Sequence, residues 1–157
     1  MKLERYALVA EIVGGIAIVI SLAILIVEVR GNTQAIRNAN RQSLATRAQD
    51  MALILAADPD IADSLKQAVS ANEMDQASLA RATNFMMANL RIAEEAYYLY
   101  REGELDEDYW RTRAAVVLDA LRSQALRDQY TSFKDRGFFT PDFTAWLDRV
   151  LAETYDD

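Results

Sequence analysis

The side chains that could do chemistry in this chain are almost all carboxylates. The sequence holds no histidine and no cysteine. That composition removes Ser-His-Asp triads, thiol catalysis, zinc fingers, haem ligation by these residues and iron–sulfur clusters. Carboxylates alone can hold magnesium or calcium. The acidic groups available for such a role are Glu94-Glu95 and the run EGELDED at residues 102–108.

Neither acidic group is expected to form a specific metal site. The run at 102–108 lacks the EF-hand pattern, and it coincides with a helix stop and a helix cap that already explain its composition. No glycine-rich phosphate-binding motif occurs in the chain. We therefore expect no metal, no cofactor and no enzymatic activity.

Two further carboxylates, Glu11 and Glu28, are the only charges in an apolar stretch from Tyr6 to Val29. At about 1.5 Å per residue, a helix of this length crosses a hydrocarbon core of about 30 Å. The stretch predicts a single transmembrane helix. The alternatives are a buried core helix and a cleaved signal peptide with Lys2 and Arg5 as its basic region. The apolar run is longer than that of a usual signal peptide, and no small-x-small cleavage site follows it.

The predicted span has two different faces on a helical wheel. Small residues form a stripe on one face, and branched aliphatic residues cover the other. Helices associate in lipid through close backbone approach, which small residues permit. The stripe is therefore a candidate helix-packing interface, and its members are Ala7, Ala10, Gly14, Ala17 and Ser21. The alternative is that these common membrane residues fall on one face by chance.

Glu28 lies on the small-residue face and Glu11 lies at its edge. A carboxylate inside the apolar stretch has to be protonated, paired or turned to water. In an oligomer Glu11 would form a ring of carboxylates or meet a cation of a partner. Because Glu11 is expected to lie only a short distance below the membrane interface, we favour the alternative that it reaches the headgroups or pairs with Lys2 or Arg5.

Basic residues flank the stretch unequally and predict its orientation. Lys2 and Arg5 precede it, whereas four arginines follow it closely. This asymmetry favours a cytoplasmic C-terminal domain. We expect three of the arginines to contact lipid headgroups: Arg30, Arg37 and Arg41. The residues after the span are acidic overall, in a chain of net charge −7, so a nucleic-acid partner is not expected.

The rest of the chain predicts an all-α fold divided into three parts. Residues 1–30 are the anchor, residues 31–57 a juxtamembrane helix, and residues 58–157 a small helical bundle. Apolar residues recur at near-heptad spacing after the span, so the membrane helix is expected to continue as a stalk. Gly31-Asn32-Thr33 is the point where it would kink or break.

Capping residues predict where the bundle helices begin and end. Asp58, Asp75 and Asp106 are expected N-caps, and Gly103 and Gly137 are expected C-terminal stops. The predicted helices start at Pro59, after Asp75, after Asp106, near Ser123 and at Pro141. The second of these, up to about Glu102, carries large apolar side chains around most of its girth. We expect it in the centre of the bundle, with its tyrosine cluster at 97–100 packed in the core.

Four short motifs extend along the chain: EIVGGIA at 11–17, NTQAIR at 32–37, AYYLYREG at 96–103 and FTPDF at 139–143. Together they resemble a broad group of uncharacterised bacterial proteins with one N-terminal membrane span and a small helical domain. The resemblance implies this architecture and a single-pass location in the bacterial inner, cytoplasmic membrane. It transfers no active site.

These observations favour a non-enzymatic membrane-anchored assembly protein. It would bind membrane lipid and self-associate as a homo-oligomer, or dock on other membrane proteins, through the small-residue stripe and the juxtamembrane helix. One alternative is a small homo-oligomeric ion channel with Glu11 and Ser21 near the pore. Another is an accessory subunit of a larger membrane complex, in which Glu11 or Glu28 meets a basic residue of a partner.

Overall fold

The computed structural model describes residues 2–70 and 74–155. The side chains of residues 2–10 and of Ile12 lie outside the described part. All regular structure in the described residues is α-helical, as the sequence predicts. The helices are α1 (Lys2–Ala57), α2 (Pro59–Val69), α3 (Gln76–Arg101), α4 (Glu107–Ala120), α5 (Gln124–Asp135) and α6 (Pro141–Tyr155).

Helix α1 continues through the point where a break was expected. Gly31, Asn32 and Thr33 are all helical, and the Thr33 hydroxyl donates to the Val29 carbonyl oxygen at 3.0 Å. Within the described residues, α1 is the one helix long and apolar enough to cross a membrane.

The chain divides into two compact units, residues 1–39 and residues 40–157. The second unit therefore includes the last part of α1, whereas the sequence places the bundle after residue 57. Leu44 of α1 is fully buried, and Met51 packs against the same core. The near-heptad pattern expected of a stalk thus serves, from Asn40 onward, to pack α1 within the bundle.

Helix α3 supplies more of the buried core than any other described helix, as its composition predicts. The buried apolar residues of α3 are Ala82, Met86, Leu90, Ile92, Ala93, Ala96 and Tyr97. The other helices pack Trp110, Val117, Leu126, Tyr130, Phe143 and Leu147 into the same cluster. Tyr97 contacts the rings of Trp110, Phe143 and Trp146 at centroid distances of 5.6–5.8 Å. The predicted core role of this part of the tyrosine cluster is confirmed.

The predicted caps define the ends of these helices. Asp58 accepts hydrogen bonds from the amides of Asp60 and Ile61, and Asp106 accepts one from the Tyr109 amide. Gly103 ends α3 and Gly137 follows α5, both with φ near +75°, a conformation that favours glycine. Ser123 behaves differently from an ordinary cap. Its hydroxyl donates to the Ala68 carbonyl oxygen at the end of α2, so it joins two helices instead of capping α5.

Candidate functional site

The apolar segment of α1, defined here as residues 13–29, exposes its large side chains on every face. From Val13 to Val29 the valines, leucines and isoleucines are 53–69% exposed. Water contact of this much apolar surface is unfavourable. The described residues of the chain leave this surface uncovered.

Three members of the predicted stripe lie on one uncovered face of this segment. Gly14, Ala17 and Ser21 are exposed, and a Cβ placed on Gly14 would meet no atom within 4 Å among the described residues. The Ser21 hydroxyl donates to the Ala17 carbonyl oxygen at 2.9 Å, so its hydrogen is satisfied within the helix. The side chains of Ala7 and Ala10 lie outside the described part of the chain.

The two acidic residues of the stretch are both exposed. Glu11 precedes Gly14 by three residues and Glu28 follows Ser21 by seven, so helical geometry places both near the stripe. Their spacing leaves them well separated along the helix axis, because each residue adds about 1.5 Å. They do not form one acidic pair.

The three arginines predicted to contact lipid have different surroundings. Arg30 is exposed and Arg37 is half-buried, and both belong to the first unit. Arg41 belongs to the second unit, where its Nε lies 3.3 Å from the Asp106 carboxylate. Its guanidinium also lies over the Tyr109 ring, 5.8 Å from the centroid. Arg41 thus binds the N-terminal end of α4.

The acidic groups of the bundle serve as caps and ion-pair partners. Glu94 is buried, and its Oε1 accepts from the backbone amide and the hydroxyl of Thr140, at 2.7 and 2.8 Å. Its Oε2 accepts from Arg91 at 3.0 Å. Glu95 forms an ion pair with Arg47 of α1. Glu94 thereby fixes the start of α6, and Glu95 joins α3 to α1.

The acidic run at 102–108 is divided among several contacts. Asp106 caps α4, and Glu107 forms an ion pair with Arg111 at 2.5 Å. The carbonyl and carboxylate oxygens of Glu104 accept from the Asn40 side chain of α1. Among residues 2–70 and 74–155, no three acidic side chains come together in a way that could hold a metal ion.

One charged residue that the sequence reasoning did not single out is buried. Arg113 of α4 is 8% exposed, and burial lowers the pKa of its guanidinium. The spacing of apolar residues in the sequence of α4 could have identified it. Trp110, Ala114 and Val117 form the buried face of α4, and Arg113 falls within that face at helical spacing. A basic residue on an apolar helix face is unusual, so the sequence pattern alone could have singled out Arg113.

Comparison of the chain with known protein families, with curated proteins and with solved structures finds no match.

Proposed function

We propose that this protein is a membrane-anchored, non-enzymatic assembly protein. The apolar segment of α1 would cross the membrane once, and the small-residue stripe would bind a second copy or another membrane protein. One observation carries the proposal: the apolar segment is exposed on all faces, while the helix containing it continues into a well-packed bundle.

Exposure argues against one alternative for this helix, and the length of its apolar run argues against the other. The core helix of a soluble protein is also long and apolar, but its side chains are covered by the rest of the fold. A secretory signal peptide has a shorter apolar run. We infer a single-pass location in the cytoplasmic membrane of a bacterium, with the bundle on the cytoplasmic side.

The stripe is suited to helix association because its surface is uncovered and its one hydroxyl group is hydrogen-bonded within the helix. A partner helix can approach Gly14 closely, since no neighbouring atom occupies that space among the described residues. Ser21 needs no water, because its hydroxyl already binds the Ala17 carbonyl. This hydrogen bond of Ser21 favours helix packing over the alternative of a pore lined by Ser21.

Cysteine cross-linking tests the interface directly, because the chain has no native cysteine. In membranes, an Ala17→Cys variant is expected to form a disulfide-linked dimer under mild oxidation. Addition of Gly14→Leu should reduce the dimer several-fold, since leucine blocks close approach of the helices. Gly15→Leu is the matched control. It makes the same change at the same depth, but about 100° around the helix.

Three results would distinguish self-association, docking on another membrane protein, and the absence of this interface. A dimer reduced by Gly14→Leu and not by Gly15→Leu supports self-association. Cross-links to another membrane protein with the same sensitivity support docking or an accessory-subunit role. A monomer without cross-links, or equal effects of the two substitutions, would refute the proposed interface. Release of the protein from membranes by alkaline carbonate would refute the anchor itself.

A further inference from the structure

A cavity of about 360 Å³ lies inside the unit formed by residues 40–157, between α1, α2, α3, α4 and α5. Its volume is within the range of small-molecule sites, roughly 300–1,000 Å³. Most of its wall is aliphatic or aromatic, with Met51, Leu55, Leu65, Phe85, Val116 and Leu126 among the lining residues. Val69 of α2 and Val116 of α4 line the cavity and are 62% and 45% exposed, so the cavity opens to the protein surface at these two helices.

Arg113 lines this cavity and brings a charge into it. The residue is more than nine-tenths buried. One terminal nitrogen donates to Asn89 Oδ1 at 2.6 Å, whereas Nε is buried and has no hydrogen-bond partner among the described residues. Arginine carries five N–H donors in a fork that fits a carboxylate or a phosphate. Buried charges in proteins are nearly always paired. None of the ion pairs among the described residues includes Arg113.

The surroundings hold Arg113 in place without neutralising it. Asn89 donates from Nδ2 to the Phe85 carbonyl at 3.0 Å, which directs its Oδ1 toward the arginine. Asp119 is the one carboxylate among the described lining residues. It is largely exposed and lies 3.4 Å from Arg122 Nε, which already partners it. The positive charge of Arg113 therefore borders the cavity without an anionic partner among the described lining residues.

We propose that this cavity binds an anionic amphiphile with a single acyl chain. The chain would occupy the apolar wall, and the anionic head would accept hydrogen bonds from the Arg113 guanidinium. Charge complementarity selects this ligand class, because a neutral chain would leave the buried cation unpaired. A fatty acid supplies a carboxylate head, and a single-chain phospholipid supplies a phosphate head.

Ligand binding by the full-length protein in lipid nanodiscs tests the proposal. The probe is decanoate labelled with carbon-13 at the carboxyl, observed by NMR, with empty nanodiscs as the blank. The protein should give a bound resonance that the empty discs lack. Decyl phosphate and decanol, which carry chains of the same length, should compete strongly and weakly, respectively. The stronger of the two anions identifies which head the site prefers.

Arg113→Met should weaken decanoate binding at least about tenfold and leave decanol binding unchanged, because only the charged contact is lost. Arg111→Met is the matched control on the same helix, since Arg111 is exposed and paired with Glu107. Ala48→Phe keeps the charge but fills the cavity, so it should abolish binding of all three probes. Far-ultraviolet circular dichroism checks that each variant is folded.

A wild-type spectrum identical to that of the empty discs would overturn the proposal. Equal decanoate affinity of Arg113→Met and the wild type would do the same. Binding that survives Ala48→Phe would also refute the site, because the ligand would then lie elsewhere.

Discussion

Two adjacent acids of α3 show how far the role of a residue depends on its partners. Glu94 is 7% exposed and accepts three hydrogen bonds, two of them from Thr140. Glu95 is partly exposed and forms one ion pair with Arg47. In the sequence they are indistinguishable candidates for metal binding. Their difference arises from α6, whose first residues follow Glu94 by more than forty positions.

Glu94→Ala is expected to lower the free energy of unfolding by about 2 to 4 kcal/mol, because it leaves the Thr140 amide and hydroxyl without their acceptor. Glu95→Ala should cost less than about 1 kcal/mol, since exposed ion pairs contribute little. Chemical denaturation of both variants, followed by circular dichroism, measures the difference. Equal losses would show that the Thr140 contact does not hold the start of α6.

At the scale of the helix, local signals were sufficient to predict most boundaries. Pro59, Pro141 and the aspartates before α2, α3 and α4 lie where the structure begins those helices. Capping is a property of a few neighbouring residues, so it is readable in the sequence. Ser123 is the exception. Its hydroxyl binds Ala68, a partner that only the packed bundle supplies.

The packing of α1 and the cavity at Arg113 were not predictable in the same way. The apolar repeat after the span fits a free stalk as well as a packed helix. The structure distinguishes them by the complete burial of Leu44. Arg113 could be noticed on the apolar face of α4, but the cavity beside it needs five helices to form. Contacts distant in sequence are the part that periodicity does not encode.

We expect the cap of α3 to make the stability of the bundle depend on pH. The Asp75 carboxylate accepts hydrogen bonds from the Ser78 amide and hydroxyl, at 2.8 and 2.9 Å, and these bonds lower its pKa below the usual 3.8. A carboxyl whose pKa is lower when folded stabilises the fold above its unfolded pKa. That stabilisation is lost as the pH falls through the folded pKa.

The melting temperature of the wild type should therefore fall more steeply between pH 5 and pH 3 than that of Asp75→Asn, which does not titrate. Asp63→Asn is the control, since Asp63 is largely exposed and pairs with Lys66 at the surface. This variant should keep the wild-type pH dependence. Parallel curves for Asp75→Asn and the wild type would show that this cap does not contribute to the acid sensitivity.

At the scale of the whole molecule, the chain combines an exposed apolar segment with an acidic bundle. The apolar segment belongs to the unit of residues 1–39 and the cavity to the unit of residues 40–157. Each unit therefore carries its own proposed activity, association by the first and ligand binding by the second. The two can be tested separately, because Gly14→Leu and Arg113→Met change different units.

The orientation of the proposed membrane span is a property of the whole molecule. We expect the bundle in the cytoplasm, because Arg30, Arg37 and Arg41 outnumber the basic residues before the span. Ser132→Cys provides a reporter at an exposed position of α5. In bacterial cells an impermeant maleimide should label this cysteine only after lysis. Labelling in intact cells would show that the bundle lies on the opposite side of the membrane. Substitution of Arg30 and Arg37 by glutamine should increase labelling in intact cells, because it removes the charge difference that retains the bundle inside. Unchanged labelling would show that these arginines do not determine the topology.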